Sequence, residues 1–426
     1  MPAKPKDRIK RLFVDTEQGR GGELVRESQF IFNCASESLA MAVSLSMPPR
    51  AQSYTDSTLF PIFAMSRPEG WLAAQIAHRL AKHVHLDDMR LLALVGHNLI
   101  GRVSLVQPDA TLASPNAQFG LNQILKAQPT SALFDAMAEA YFASGVSGVQ
   151  PKVLVPDVDA QTVARGRATA LQPDLIVKSR GVEYPHLAVN EFICMDAARR
   201  AGLDVPDFWL SDDGGLFVVR RFDLADNGRI GFEDMAVLSG RRHDHQGNYK
   251  YEGSYEGVAR IVGALCPPER QFEQLQRLFE AVALSVLVRN GDAHLKNFGM
   301  VYDDPSKLDS IRMAPIYDVV TTTVYPVYNS RTGVEYTDQT MALKMRKDKR
   351  YPSPRELHDF AQEHCLVREP ARIIERISQG MSESLAENGS RLPQDLREKL
   401  QAQWDLGRLD MQYKPPVTRA PRQAQG

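Results

Sequence analysis

Asp292 and Asn297 stand with four residues between them in the segment Arg289-Asn290-Gly291-Asp292-Ala293-His294-Leu295-Lys296-Asn297-Phe298-Gly299. A loop of that pattern can bring a carboxylate and an amide to one reacting phosphate. Asp292 would accept the proton of an attacking hydroxyl, and Asn297 would hold a magnesium ion that bridges the phosphates. Lys296 would offset charge on the group in transfer. The same residues also suit a plain polar loop in which Asp292 and Asn297 cap a turn.

A second acidic residue, Asp318, lies in Met313-Ala314-Pro315-Ile316-Tyr317-Asp318-Val319-Val320, an apolar run where an unpaired carboxylate is costly. Magnesium is a suitable partner; an arginine, or a helix starting at Val319, would serve as well. Upstream, Asp174-Leu175-Ile176-Val177-Lys178 reads as an apolar strand ending in a lysine. Lys178 either reaches ATP phosphates or snorkels to water. Glu191, on the helix that follows, is its candidate ion-pair partner or a solvated helix residue. Ser144-Gly145-Val146-Ser147-Gly148-Val149-Gln150-Pro151-Lys152 lies between a helix and a strand. Its small residues let backbone amides approach phosphates, although G-x-x-x-x-G-K-[ST] and G-x-G-x-x-G are both absent and a flexible turn is the plainer reading. The order of the parts carries more than any one of them. Small-residue turn, strand lysine, Asp-x4-Asn and buried Asp follow one another as kinase chemistry uses them.

These residues need elements to hold them. Arg11–Asp15 and Glu23–Phe32 around Gly19-Arg20-Gly21-Gly22 read as a hairpin. Val43–Met47 reads as a short strand stopped by Pro48-Pro49. Gly70–Lys82 has helical spacing, with Leu72, Ile76 and Leu80 on one stripe. Leu91–Val95 and Ile100–Val106 flank Gly96-His97-Asn98. Next come a helix over Ala132–Tyr141, strands over Val153–Val155, Leu175–Lys178 and Leu216–Arg220, and a helix over Leu187–Ala201 that Gly202 and Pro206 end. From Asp234 onward the spacing is helical: Gln271–Val288, Arg355–Cys365 behind Ser353-Pro354, Ala371–Leu385 and Leu392–Leu409.

The predicted architecture is α+β and bilobal. Residues 1–106 form an N-terminal α/β module, and 107–131, rich in Pro, Ala, Asn and Gln, a connection. Residues 132–230 form an N-lobe with the phosphate loop and the ATP lysine, 231–413 an all-helical C-terminal lobe with the catalytic loop, and 414–426 a disordered tail. A chain of 426 residues exceeds one ordinary core. Its 43% apolar and 24% charged content is that of a soluble globular protein. The net charge of −1 supplies no basic field for direct nucleic-acid binding. Cys34, Cys194, Cys266 and Cys365 form no CxxC pair, which argues against zinc and disulfides and for a reducing cytoplasm. The basic start, Met1–Lys10, has no apolar stretch behind it and does not read as a secretory signal. Leu278–Val288, broken by Glu280, is too short to span a bilayer.

The motifs resemble the HipA family, the kinase toxins of bacterial toxin–antitoxin pairs, over nearly the whole chain. Ser147-Gly148-Val149-Gln150-Pro151-Lys152 is similar to its S/A-G-x-Q-x-K phosphate loop. Asn190-Glu191, Arg221-Phe222-Asp223 and Phe232-Glu233-Asp234 resemble its N-E, R-F-D and E-D landmarks. Asp292 through Phe298 resembles D-x-H-x-K-N-F, the most specific match, and Tyr317-Asp318 its Y-D metal site. Gly22-Glu23-Leu24, Ser44-Leu45-Ser46-Met47-Pro48 and Pro68-Glu69-Gly70 resemble landmarks of its N-terminal module. Arg220 stands where a glutamate often precedes R-F-D.

The resemblance implies a serine/threonine protein kinase using ATP and Mg2+. Asp292 would be the base, with Lys296 beside it. Lys178, Gly148, Val149, Gln150, Lys152 and Glu191 would serve the nucleotide, and Asn297 and Asp318 the metal. The backbone at Val218 and Val219 would contact adenine. Ser147, then Ser144, is the expected site of self-phosphorylation that switches the kinase off. A small helix-turn-helix antitoxin is the implied partner, with DNA reached only through it. An aminoacyl-tRNA synthetase is the implied class of protein substrate. A small-molecule phosphotransferase and a non-catalytic antitoxin-binding scaffold remain the alternatives.

Overall fold

The computed structural model describes residues 8–80, 86–108, 119–140, 150–157, 174–179, 184–225, 228–244, 247–329 and 332–409. The expectations for Ser144, Ser147, Gly148, Val149 and the 414–426 tail lie outside them.

The N-terminal module is a five-stranded antiparallel sheet, built from β1 (Arg11–Thr16), β2 (Gly19–Arg26), β3 (Phe30–Cys34), β4 (Tyr54–Asp56) and β5 (Ser104–Val106) in the order β4-β3-β2-β1-β5. Strand β1 shows why it is a strand: Leu12, Val14 and Thr16 face inward while Arg11, Phe13 and Asp15 face away. The helices α1 (Pro61–Met65), α2 (Gly70–Leu80) and α3 (Asp88–Val95) cover that inner face, with Phe63, Leu72, Ile76 and Leu92 in the shared core. The expected hairpin is displaced. The chain turns at Glu17-Gln18, before the glycines, and Glu23–Phe32 splits into β2 and β3 around Glu27–Gln29. The glycine at 22 serves packing instead, since a Cβ there would lie 2.3 Å from the Asn33 carbonyl. Val43–Met47 is no strand but a single Ser44–Met47 bridge, because the Ser44 hydroxyl is drawn to Glu233 and the backbone of Ser46.

The N-lobe is a four-stranded antiparallel sheet of β6 (Lys152–Val155), β7 (Leu175–Ser179), β8 (Phe208–Leu210) and β9 (Leu216–Arg220), in the order β6-β7-β9-β8. Two helices, α4 (Leu121–Lys126) and α5 (Thr130–Ala140), pack on one face through Ile124, Phe134 and Met137. The stretch read as a connection therefore contributes to this core from Phe119 onward. Helix α6 (Leu187–Arg200) covers the other face, with Phe192 meeting Phe208.

The C-terminal lobe is built on helices α7 (Met235–Leu238), α8 (Tyr255–Leu265), α9 (Pro268–Leu287), α10 (Pro354–Glu363), α11 (Pro370–Asn388) and α12 (Gln394–Leu409). Helix α9 is buried from Leu278 through Leu287, and Glu280 in that run is met by Arg376 at 2.7 Å. Ser353 caps α10 in a reciprocal box with Glu356. The expected all-helical lobe is corrected in one respect: it also carries small sheets. Strands β10 (Gly231–Asp234), β11 (Gly299–Tyr302) and β12 (Arg312–Met313) pair so that Asp234 lies opposite Gly299, which fixes the C-terminal end of the Asp292 loop.

Candidate active site

The site is assembled from four separate stretches of chain. Strand β7 delivers Lys178, whose ammonium is buried and lies 2.5 Å from Glu191 on α6 and 2.8 Å from Asp318. Neither plainer reading applies: the lysine does not snorkel, and Glu191 is fully buried. Asp318 has a positive φ of 60°, the left-handed region that Asp tolerates better than most residues. No helix begins at Val319. Burial works against charge on Asp318, yet the ammoniums of Lys178 and Lys152 outweigh it and hold the carboxyl well below the ordinary range. Burial pushes Glu191 upward, against the pull of Lys178.

Asn297 faces the other oxygen of Asp318, with its Nδ2 at 3.5 Å, while its Oδ1 accepts the His294 amide at 3.0 Å. The loop reaches this position because α9 ends at Leu287 and Arg289, just past the helix, takes a φ of 58° and reverses the chain. Gly291 then passes so close to Thr340 that a Cβ would lie 2.6 Å from its carbonyl oxygen, and its amide donates to Thr322 Oγ1 at 2.7 Å. Asp292 follows, open to solvent, its amide donating to Asn290 Oδ1 at 3.1 Å and its Oδ1 accepting the Tyr251 hydroxyl at 2.8 Å. Partial loss of water raises its carboxyl above the usual value, and the Asp318 charge adds to this, while Tyr251 and Lys250 oppose it. His294 is buried and kept neutral, its pKa pushed down to about 3 by loss of water.

Lys152 lies directly across the β6–β7 ladder from Lys178. It is buried and has no hydrogen-bond or ion-pair partner among the described residues. Burial lowers its pKa, and the Asp318 charge opposes that loss. A buried ammonium beside a second one fits a polyanion such as a triphosphate. Asp318 and Asn297 offer hard oxygen donors, and magnesium held by one or two protein groups and completed by phosphates and water fits that set. Gln150, just before β6, donates to Ser179 O of β7 at 3.1 Å. A recess reaches Asn297 and Asp318 from the α9 side, between Glu280, Asn290 and Tyr317.

Some expected residues sit otherwise. Val218 and Val219 lie in β9, an interior strand whose backbone pairs with β7 on one side and β8 on the other, so its edge is already taken. Lys296 meets Glu69 of the N-terminal module, 3.4 Å from each carboxylate oxygen. Burial disfavours charge on Glu69, but His243, Lys296 and Tyr249 hold it strongly ionised. The R-F-D and E-D segments join modules. Arg221 pairs with Asp223 and donates to Leu99 O at 2.8 Å, while Asp223 accepts the Gly101 amide at 2.6 Å. Glu233 accepts from Ser44, the Leu45 amide and Tyr302 at 2.5, 2.7 and 2.8 Å. Arg220, in the unusual position before R-F-D, is held by Asp157 and Asp174, each at 3.1 Å.

Two family matches cover most of the chain: a HipA N-terminal domain over residues 12–106 and a HipA-like C-terminal domain over 144–385. The chain belongs to the HipA family. Y4dM of Sinorhizobium fredii, named a candidate kinase, is 26% identical over 307 residues, 68% of each chain. A Haemophilus influenzae protein, also named a candidate kinase, is 30% identical over 200 residues, 43% of this chain and 55% of that one. In fold, this HipA-family chain is similar to the HipA of Shewanella oneidensis MR-1, solved with HipB and operator DNA. The TM-score is 0.64 at 18% identity, over 94% of this chain and 96% of that one. No helix among the described residues is long and apolar enough to cross a membrane.

Proposed function

We propose that this HipA-family chain is an ATP- and magnesium-dependent protein serine/threonine kinase, the toxin of a cytoplasmic toxin–antitoxin pair. The observation that carries the reading is the line Glu191–Lys178–Asp318–Asn297, drawn from four parts of the chain. A kinase uses that line to hold a triphosphate and its metal. Lys178 and Lys152 would bind phosphate oxygens, with Gly148, Val149 and Gln150 supplying the loop over them. Asn297 and Asp318 would hold the metal, which when bound neutralises charge between the phosphates. Asp292 would orient the acceptor hydroxyl and take its proton.

Self-phosphorylation falls to Ser147, then Ser144, in the phosphate loop. The protein partner is a small HipB-like helix-turn-helix antitoxin through which the pair reaches DNA. An aminoacyl-tRNA synthetase is the leading class of target.

Incubation with Mg-ATP and a cell lysate, followed by phosphosite mapping, tests the reading. The expected result is phosphate on serine or threonine of a protein and on Ser147 or Ser144. Transfer should be lost in Asp292→Asn, with melting unchanged because the two side chains are nearly isosteric. Full transfer by that variant removes Asp292 from the mechanism, and no transfer by the wild type removes the kinase.

A further inference from the structure

Tyr251 has no place in any motif, yet its hydroxyl donates to Asp292 Oδ1 at 2.8 Å. The contact is built rather than incidental. Tyr251 ends a short 3-10 turn, Asn248–Tyr251, whose first two amides donate to the carboxylate of Asp244 at 3.0 and 2.9 Å. Tyr249, two residues earlier in the same turn, donates its hydroxyl to Glu69 at 3.0 Å. The Tyr251 ring stands edge-on to His294, centroids 5.2 Å apart. Its carbonyl accepts from Lys349 at 3.4 Å, and the ammoniums of Lys250 and Lys349 lie 5.1 and 5.8 Å from the ring centroid.

A carboxylate acting as a base must present one oxygen at a fixed angle. A base oriented by a third group is the general arrangement for activating a hydroxyl. We propose that Tyr251 is a positioning residue for Asp292: its hydroxyl fixes one carboxylate oxygen so that the other faces the acceptor hydroxyl. This rests on the kinase reading above and names a residue that reading does not contain. The charged and titratable groups facing Asp292 are Tyr251 and Lys250 from the turn, Tyr255 from α8, Lys152 from β6 and Asp318 from the apolar run. Of these, Tyr251 is the one whose side chain hydrogen-bonds the carboxylate. Loss of water raises the Asp292 carboxyl, and the Tyr251 hydroxyl opposes the rise. Removing the hydroxyl therefore raises it further. Since the base works ionised, the loss of activity on acidification then begins at a higher pH.

Tyr251→Phe keeps the ring against His294 and removes only the donor. The expected result is a kcat about 10-fold lower, the order of one hydrogen bond to a charged group, with KM for ATP unchanged. The acid limb of the kcat profile should move up by about one unit. A titration of the Asp292 carboxyl carbon by NMR, assigned with Asp292→Asn, should move the same way without any turnover. Wild-type kcat and an unmoved acid limb in Tyr251→Phe would overturn the inference and leave the kinase standing. A rise in kcat would overturn it too, since the hydroxyl would then obstruct the acceptor. An unmoved carboxyl titration would remove the contact itself. A wild type that transfers no phosphate, with the titration still moving, would remove the kinase and the catalytic use of the contact while leaving the contact.

Discussion

Replacing Lys178 with methionine removes the ammonium between Glu191 and Asp318 while nearly preserving the length of the side chain. The two carboxylates respond differently. Asp318 has 36% of its side chain exposed and can turn to water, whereas Glu191 has 1% exposed and cannot. The cost therefore concentrates on Glu191. Breaking one partner of a buried pair costs about 3–5 kcal/mol when the other stays charged. Glu191 is already pushed up by burial with the lysine present, so in the variant it takes a proton instead. That escape makes the penalty depend on pH. Each unit by which the folded carboxyl rises above its unfolded value costs about 1.4 kcal/mol once the solution is alkaline to both. The sign follows: a carboxyl raised by folding loses stability as pH rises towards its folded value.

Urea unfolding of Lys178→Met should show a loss of about 2–4 kcal/mol at pH 8 and distinctly less at pH 6. Adding Glu191→Gln should recover most of the loss at pH 8, because the buried charge is gone, while phosphoryl transfer remains abolished. A single variant as stable as the wild type at pH 8 would refute the reasoning. So would a double variant whose losses simply add, since residues in contact should couple.

Two further outcomes concern the Asp292 loop. Gly291→Ala places a methyl group 2.6 Å from the Thr340 carbonyl and 2.9 Å from Thr322 Oγ1. It should cost about 1–3 kcal/mol in urea unfolding and displace Asp292, so that kcat falls while nucleotide binding by calorimetry persists; an unchanged kcat would count against the tight passage. Glu69→Gln removes the charge that meets Lys296 from the N-terminal module. It should lower kcat several-fold with KM for ATP little changed, and a variant identical to the wild type would mean that Lys296 needs no partner from that module.

Local pattern made much of the framework readable. Ser353-Pro354 announces α10, and the capping box there needs only neighbours in sequence. The apolar spacing of Gln271–Val288 follows α9 closely, and Leu216–Arg220 is β9 to the residue. The candidate site was legible as a set of residue types in order, and the structure brings Lys178, Glu191, Asp318 and Asn297 together. What was not legible depends on contacts between distant segments. Tyr251 lies 41 residues from Asp292, and Glu69 lies 227 residues from Lys296. No helical or strand period reports on such pairs. Glu69 had at least a signal, an acidic residue in a landmark with no assigned role. Tyr251 had none beyond standing next to Lys250 in a polar stretch. Val43–Met47 departs from a strand because the Ser44 hydroxyl, donating to Glu233 and accepting the Ser46 amide, wins over the strand tendency of the valine.

The N-terminal module touches every part of the kinase-like body. It grips the helical lobe at Glu233, the linker between lobes at Arg221 and Asp223, and the N-lobe through Trp71 against Phe134, centroids 5.7 Å apart. A pair of jaws strapped across the pivot swings less than a free pair. Cutting the strap would be felt first as a wider, looser gape between the lobes.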